Sequence, residues 1–335
     1  MKVAVTGGQG FIGSQLIRTL LTSGHRVLNL DKGTYAAHPA NLLDVEEHPD
    51  YTRLLVDICD APRLRQALHT FQPDAVINCA AETHVDRSLK SAISFIENNV
   101  IGLQTVLDVC RDLGIGPIVH LSTDEVMGET PEGERFDESA ALNPSSPYAG
   151  SKAAAESMIR AAVRTYDVDV RIVRSANNYG PRQYPEKLIP LMILRALEYK
   201  SLPLYGDGLQ IRDWLHVEDN ARAILTVLER GEKSGIYCVG SRTERTNAQI
   251  VEHILATLQR PRELIEYVHD RPGHDRRYAL DPAKIEALGW SPRISFEVGL
   301  RDTILWYQRH RSWLEAVRLG AFQEFHAEWN DDASP

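Results

Sequence analysis

The chain is poor in the features that mark secreted, membrane-bound or nucleic-acid-binding proteins. Its 335 residues contain four cysteines, Cys59, Cys79, Cys110 and Cys238. None forms a CxxC pair or stands at metal-ligand spacing from a histidine, so no metal is expected and four reduced, buried thiols are. No apolar run approaches the roughly 20 residues of a membrane span, so no membrane partner is expected. Basic excess is missing too: 37 Lys and Arg stand against 46 Asp and Glu, a formal charge of −9. That balance argues against nucleic acid as the main partner, yet allows a local basic pocket for a small phosphate ligand. No repeat or low-complexity segment interrupts the chain. Lys2-Val3-Ala4-Val5 already reads as a core strand with no leader before it, which predicts a cytoplasmic location.

What is present is ordinary globular material, 43% hydrophobic and 25% charged, long enough for one large domain or two moderate ones. The first half alternates short apolar runs with helical patterns. Candidate strands cover 2–5, 26–30, 52–56, 75–78, 117–121 and 168–173, and candidate helices 12–22, 61–71, 94–113 and 148–166. This alternation predicts an α/β fold, a doubly wound parallel sheet with right-handed crossovers and ligands at the carboxyl ends of the strands. Past about residue 178 the pattern changes. Pro181, Pro185, Pro190, Pro203, Gly206 and Gly208 cut the chain into short pieces, with helices expected at 187–199, 217–229, 247–258 and 297–310. The expected division is a domain over 1–178 and a smaller, irregular lobe over 179–330, with a polar, frayed tail at 330–335.

Thr6-Gly7-Gly8-Gln9-Gly10-Phe11-Ile12-Gly13 joins the first strand to the first helix. In that context Gly7, Gly10 and Gly13 let a pyrophosphate approach backbone N–H groups at a helix start, which makes the sheet Rossmann-type. Asp31 ends the second strand 18 residues after Gly13, where a ribose-binding acid belongs. Its charge repels a 2′-phosphate and favours NAD over NADP, although Lys32 follows directly. Asp57, at the end of the third strand, either bonds the adenine amino group or caps the next helix. Ala80-Ala81-Glu82-Thr83 ends the fourth strand with small residues that let the backbone pass beside the cofactor.

Tyr148 and Lys152 lie four apart at a helix start and so share a face. A phenol titrates near pH ~10. A neighbouring ammonium and a positive nicotinamide are expected to lower that value, so that Tyr148 takes a proton from a sugar hydroxyl, with Thr123 sharing the bond. Taken alone, the pair also fits a surface tyrosine with a helical lysine partner. Ser122-Thr123-Asp124-Glu125 adds two carboxyls that alcohol oxidation does not need. If their environments push their pKa values apart, one donates a proton to a leaving hydroxyl while the other removes a carbon-bound proton, which points to elimination of water. Loop capping is the plainer alternative.

Further segments carry a family likeness: Ala80 to Ser88, Asn177-Asn178-Tyr179-Gly180-Pro181, Pro185 to Pro190, Leu204 to Gly208, Arg212-Asp213-Trp214 and Asp270 to Tyr278. With the three motifs, they resemble the extended short-chain dehydrogenase/reductase family, and within it the dTDP-glucose 4,6-dehydratases, over nearly the whole chain. The resemblance implies an NAD-dependent lyase acting on a nucleotide sugar. Tyr148 would deprotonate the C4 hydroxyl as the hydride leaves C4. Glu125 would remove the C5 proton while Asp124 protonates the departing C6 hydroxyl, and the hydride would return to C6. It implies cofactor contacts from the glycine loop with Phe11 and Ile12, from Asp31, Lys32 and Thr34, and from Asp57 and Ile58. Ala80, Ala81, Thr83, Asn98, Asn178, Tyr148 and Lys152 complete that set. The sugar nucleotide would meet Thr83, Thr123, Asn177, Lys187 and Leu188, then Pro203, Tyr205, Arg212, Asn247, Arg271 and His274. Arg212 and Arg271 suit a diphosphate by guanidinium geometry. A homodimer through a four-helix contact of 94–113 and 148–166 is also implied.

Some positions depart from the family pattern. Met127 replaces a tyrosine, Asn98 a threonine and Gly33 a bulkier residue, and Arg174-Ser175-Ala176 differs before Asn177. They leave the base and hexose open: UDP-glucose and UDP-N-acetylhexosamines stay in view, as do 4-epimerase or decarboxylase chemistry and a non-catalytic NAD-sensing role.

Overall fold

The computed structural model describes residues 1–319; the tail expected to fray lies outside the described residues. The six expected strands form β1 (Lys2–Thr6), β2 (Arg26–Asp31), β3 (Tyr51–Leu55), β4 (Ala75–Asn78), β5 (Ile118–Thr123) and β6 (Val170–Ser175). Then come β7 (Asn177–Tyr179), β8 (Leu202–Tyr205), β9 (Ile211–His216), β10 (Ile236–Val239), β11 (Glu244–Thr246) and β12 (Ile265–Val268). The helices are α1 (Phe11–Thr22), α2 (Ala61–Phe71), α3 (Val85–Lys90), α4 (Ile93–Ile96), α5 (Leu103–Leu113), α6 (Pro147–Tyr166), α7 (Leu188–Leu197), α8 (Val217–Arg230), α9 (Asn247–Leu258), α10 (Ala283–Glu286), α11 (Phe296–Arg309) and α12 (Arg311–Leu319).

Seven strands pair in the order β10-β6-β5-β4-β1-β2-β3, and every pairing is parallel. Side chains alternate between the two faces. Val3, Val5, Ile77, Val119 and Val173 join α1 and α8 in one core; Ala4, Val76, Ile118 and Ile172 join α2, α5 and α6 in another. Both faces are thus covered, which is why the strands read as continuous apolar runs. The order reverses between β1 and β4, so a crevice opens beside the β1–α1 turn. Local signals set the helices around it. Asp60 accepts from Arg63 N to start α2. Ser146 accepts from Ala149 N, with Pro147 in the first turn, to start α6. A third core, from α7, α9 and α11, belongs to the second lobe.

Two expectations change. The chain does not divide cleanly at 178, because β10 pairs with β6 and α8 packs on α1. The segment from Val217 to Val239 therefore completes the first domain. The helix expected over 94–113 runs continuously through α4 and α5, but its middle, Glu97–Gly102, is π-helical. Close packing accompanies this turn, since a Cβ on Gly102 would lie 2.6 Å from Ile58 Cδ1. The widened turn aims two amides inward. Asn99 Nδ2 donates to Glu82 O and Ser151 Oγ, and its Oδ1 accepts from Glu82 N; Asn98 accepts from Lys32 Nζ. Such π-turns recur at functional sites. Among the described residues, no helix is long and apolar enough to cross a membrane. The four cysteines are unpaired; Cys110 and Cys238 are buried, whereas Cys59 and Cys79 are half-buried rather than fully enclosed.

Candidate functional site

The crevice is a cleft lined by the glycine loop, the ends of β2, β4 and β5, the start of α6 and the segments 175–178 and 183–187. Gly7 has φ +68, and a Cβ there would sit 2.6 Å from Ala80 N; one on Gly13 would meet Gly7 O at 2.2 Å. Only glycine permits this folding of the loop. Helix α1 begins at Gly10 with no side-chain cap and no acid in its first turn, so its orphan N–H groups and positive end face the cleft. These residues fit a pyrophosphate.

Asp31 closes the far end. Its Oδ2 accepts from Gln9 N at 2.9 Å and its Oδ1 from Gly33 N at 2.8 Å, and burial pushes its pKa up against those bonds. An Asp31→Ala change is expected to weaken NAD binding roughly tenfold or more, the scale of a hydrogen bond to a charged group. Calorimetric titration measures it; unchanged affinity would leave Asp31 as a loop brace alone. Phe11, Ile12, Lys32, Thr34, Ile58, Ala80, Ala81, Thr83, Asn98 and Asn178 also line the cleft. Asp57 does not. It accepts from Cys59 N at 2.9 Å and lies 3.4 Å from Lys32 Nζ, so it caps a turn and tethers the lysine. Tyr35 straps the rim: its hydroxyl donates to Glu186 Oε1 at 3.3 Å, its ring meets Tyr184 edge-on at 5.4 Å, and Arg87 stacks over it at 4.1 Å.

Thr123, Asp124, Glu125, Tyr148 and Lys152 line the same cleft. Thr123 Oγ1 donates to Asp124 Oδ1 at 3.1 Å and accepts from Glu125 N at 3.3 Å. Asp124 Oδ2 is buried without a protein partner. Burial, reinforced by the charge of Glu125, pushes Asp124 up to about 8, so below that pH it is an acid with a proton to give. Burial raises Glu125 too, but Arg271, Arg212 and Lys187 oppose the rise. Both carboxyls are raised, but three cations oppose the rise at Glu125 and one at Asp124, which separates them in the direction an acid and a base need.

Tyr148 is expected to be lowered by an ammonium together with a positive nicotinamide, and the chain alone does not lower it. Burial, then the charge of Glu125, pushes its phenol above the ordinary value. Its neighbour Phe95 is apolar, with ring centroids 6.4 Å apart. Lys152 turns its ammonium elsewhere, donating to Leu121 O at 2.7 Å and lying 3.3 Å from His120 Nε2. Burial pulls Lys152 itself down to about 8. In the protein alone, desolvation outweighs the Thr123 hydrogen bond, which lowers the phenol.

The residues expected to bind the nucleotide divide. Asn177 and Lys187 line the cleft, Lys187 Nζ donating to Thr83 O at 2.7 Å. The rest form a neighbouring group. Asp86 accepts from Arg271 Nη1 at 3.0 Å and from Tyr205 OH at 3.1 Å, and His274 Nδ1 lies 2.7 Å from Asp270 Oδ1. Arg271 Nε is buried without a partner. Arg212 donates to Ile211 O and Asp275 O and stacks over Tyr278 at 4.2 Å. Pro203 lies within the β8–β12 pairing, Leu188 packs against the second-lobe core, and Asn247 opens α9 with its N–H on Gln210 O; none lines the cleft. Met127 faces inward, accepting from Arg174 Nη1 at 3.2 Å beside the Arg174–Glu156 ion pair. Met127 is not among the residues that line the cleft.

Sequence reasoning gave no role to Glu186, Cys79, His120 or Asp86. Glu186 lies in the segment Pro185 to Pro190, next to Lys187. His120 was visible as a polar break in an apolar strand. Asp86 becomes meaningful only through contacts far along the chain.

A seven-stranded Rossmann-type sheet, with tyrosine and lysine on one helix beside a strand-end threonine, defines a dinucleotide-dependent enzyme of the short-chain dehydrogenase/reductase type. The family model described as "NAD dependent epimerase/dehydratase family" matches residues 3–240. The chain belongs to that family, and its cofactor is NAD. It is 43% identical to dTDP-glucose 4,6-dehydratase 1 of Escherichia coli strain K12, over 97% of this chain and 98% of that one. The crystal structure of DesIV, a dTDP-glucose 4,6-dehydratase from Streptomyces venezuelae with NAD and TYD bound, is 45% identical at a TM-score of 0.92, covering 95% and 100%. That of Thermus thermophilus UDP-glucose 4-epimerase with NAD is 32% identical at a TM-score of 0.86, covering 92% and 100%.

Proposed function

We propose that the chain converts dTDP-glucose to dTDP-4-keto-6-deoxyglucose. The observation carrying this reading is the acid pair. Asp124 holds its proton up to about pH 8 in the cleft that also contains Glu125 and Tyr148. Epimerisation at C4 uses neither carboxyl. The likeness to curated dTDP-glucose 4,6-dehydratases over nearly the full length supports the same substrate.

Bound NAD supplies the hydride acceptor for C4, a positive ring beside Tyr148, and the hydride delivered to C6. The chain supplies the proton movements. Tyr148, bonded to Thr123, accepts the C4 hydroxyl proton. The C4 ketone acidifies C5–H, and Glu125 takes that proton as Asp124 protonates the C6 hydroxyl, which leaves as water. Glu125 returns its proton to C5 once C6 is reduced. Oxidation must come first, because C5–H is not acidic beside an alcohol. The diphosphate falls to Arg271 and Arg212.

Two coarser points complete the reading. Leu89, Ile93, Ile96, Ile101 and Met158 are exposed apolar residues on or between α3 and α6, a patch suited to a homodimeric four-helix contact. A cytoplasmic location fits an enzyme of nucleotide sugars. The test is mass spectrometry after incubation with dTDP-glucose, UDP-glucose and UDP-N-acetylhexosamines. A keto-deoxy product from dTDP-glucose is expected. An epimer of unchanged mass, or turnover of a UDP-sugar alone, would overturn the assignment.

A further inference from the structure

We propose that His120 is a positioning residue for the Tyr148–Lys152 pair. A row of side chains, Thr6–Asn78–His120, spans three neighbouring strands and sets which protonation state of the Lys152 amine the site holds. The row follows from sheet register: Thr6 lies opposite Asn78, and Asn78 opposite His120. All three extend the face that Ala4, Val76 and Ile118 make apolar beneath α6. None is more than 1% exposed. Three polar side chains on such a face are costly unless each is bonded, and here each is. Thr6 Oγ1 donates to Asn78 Oδ1 at 2.5 Å, Asn78 Nδ2 lies 3.0 Å from His120 Nδ1, and His120 Nε2 lies 3.3 Å from Lys152 Nζ.

The donor count gives the row two directions. Burial and the Lys152 charge hold His120 neutral, so one ring nitrogen carries hydrogen and the other accepts. With Asn78 Nδ2 donating to Nδ1, the Nε2–H points at Lys152, which accepts only as a neutral amine. Turning the Asn78 amide over reverses the row. Nδ1–H then donates to Asn78 Oδ1, Asn78 Nδ2 donates to Thr6 Oγ1, and Nε2 accepts from the Lys152 ammonium. Burial brings Lys152 down to about 8, so both directions fall within an ordinary working range. Lys152 is faced by Tyr148 and Glu156 from α6, His120 from β5 and Cys79 after β4. Arg174 of β6 already engages Glu156 in a buried bidentate pair, with Ser122 Oγ donating to the same carboxylate. His120 is then the titratable group in direct contact with the amine.

This inference rests on Tyr148 acting as the base. The state that abstracts a proton is phenolate beside ammonium. Removing the His120 acceptor favours the neutral amine without changing the phenol's acidity beside an ammonium. A His120→Phe enzyme loaded with NAD should match the parent rate of C4 oxidation at acid pH. It should then level off about one pH unit earlier and about tenfold lower, the scale of one hydrogen bond to a charged group. His120→Gln, whose amide oxygen accepts, should restore the parent profile. A profile superimposable on the parent, or lowered equally at every pH, overturns the proposal. A readout without substrate covers the case in which His120→Phe does not fold. Nitrogen-15 histidine spectra of the parent enzyme, with the His120 signal assigned by its loss in His120→Gln, should pass from Nδ1–H to Nε2–H as pH rises. One tautomer throughout overturns it. Tyr148→Phe tests the base through the rate of C4 oxidation and makes no prediction about this tautomer change, so the two readings fail separately.

Discussion

Glu125→Gln is expected to stop the reaction after its first step. The amide keeps the shape of the acid, but it cannot remove a proton from carbon. Oxidation at C4 asks nothing of Glu125, so the reduced-cofactor absorbance should rise in a single turnover and persist. Water loss should fall by about 10²–10⁴, the range for a lost general base. Deuterium from solvent should also fail to enter C5. The electrostatics sharpen this expectation. The Glu125 charge raises both Asp124 and Tyr148, so neutralising it makes Tyr148 a stronger acid and leaves the first step intact. Equal loss of oxidation and dehydration would sink the assignment of separate roles.

Tyr148→Phe is expected to act one step earlier. The ring packs against Phe95 and Val85, and phenylalanine preserves that contact. The C4 hydroxyl then has no base, because Lys152 points to Leu121 O and His120. Single-turnover oxidation should fall by about 10²–10⁴ with NAD binding little changed. A near-normal rate would remove Tyr148 from the chemistry. Together the two variants order the steps: one accumulates the oxidised sugar and the other never forms it.

Much of this was legible where information is local. The glycine loop, the Asp31 strand end and the Tyr148–Lys152 spacing depend on neighbours in sequence, and the cleft assembles them as expected. The return of Ile236–Val239 to the large sheet was not legible, since four apolar residues read alike in either lobe. The π-turn was not, because the packing that accompanies it, Gly102 against distant Ile58, is a tertiary fact. The enclosure of the Tyr148 phenol was not legible for a related reason: a lysine four residues away is visible in sequence, whereas burial and the direction of its ammonium are tertiary facts. Arg271 shows the same limit, its partner Asp86 lying 185 positions away.

The gathering of Tyr148, Asp124 and Glu125 in one cleft has a metabolic consequence. Oxidation and hydride return take place on one sugar, so each round ends with the nicotinamide in the oxidation state in which it began. One dinucleotide can therefore serve many rounds, and the enzyme's output is uncoupled from the cell's ratio of oxidised to reduced pyridine nucleotides.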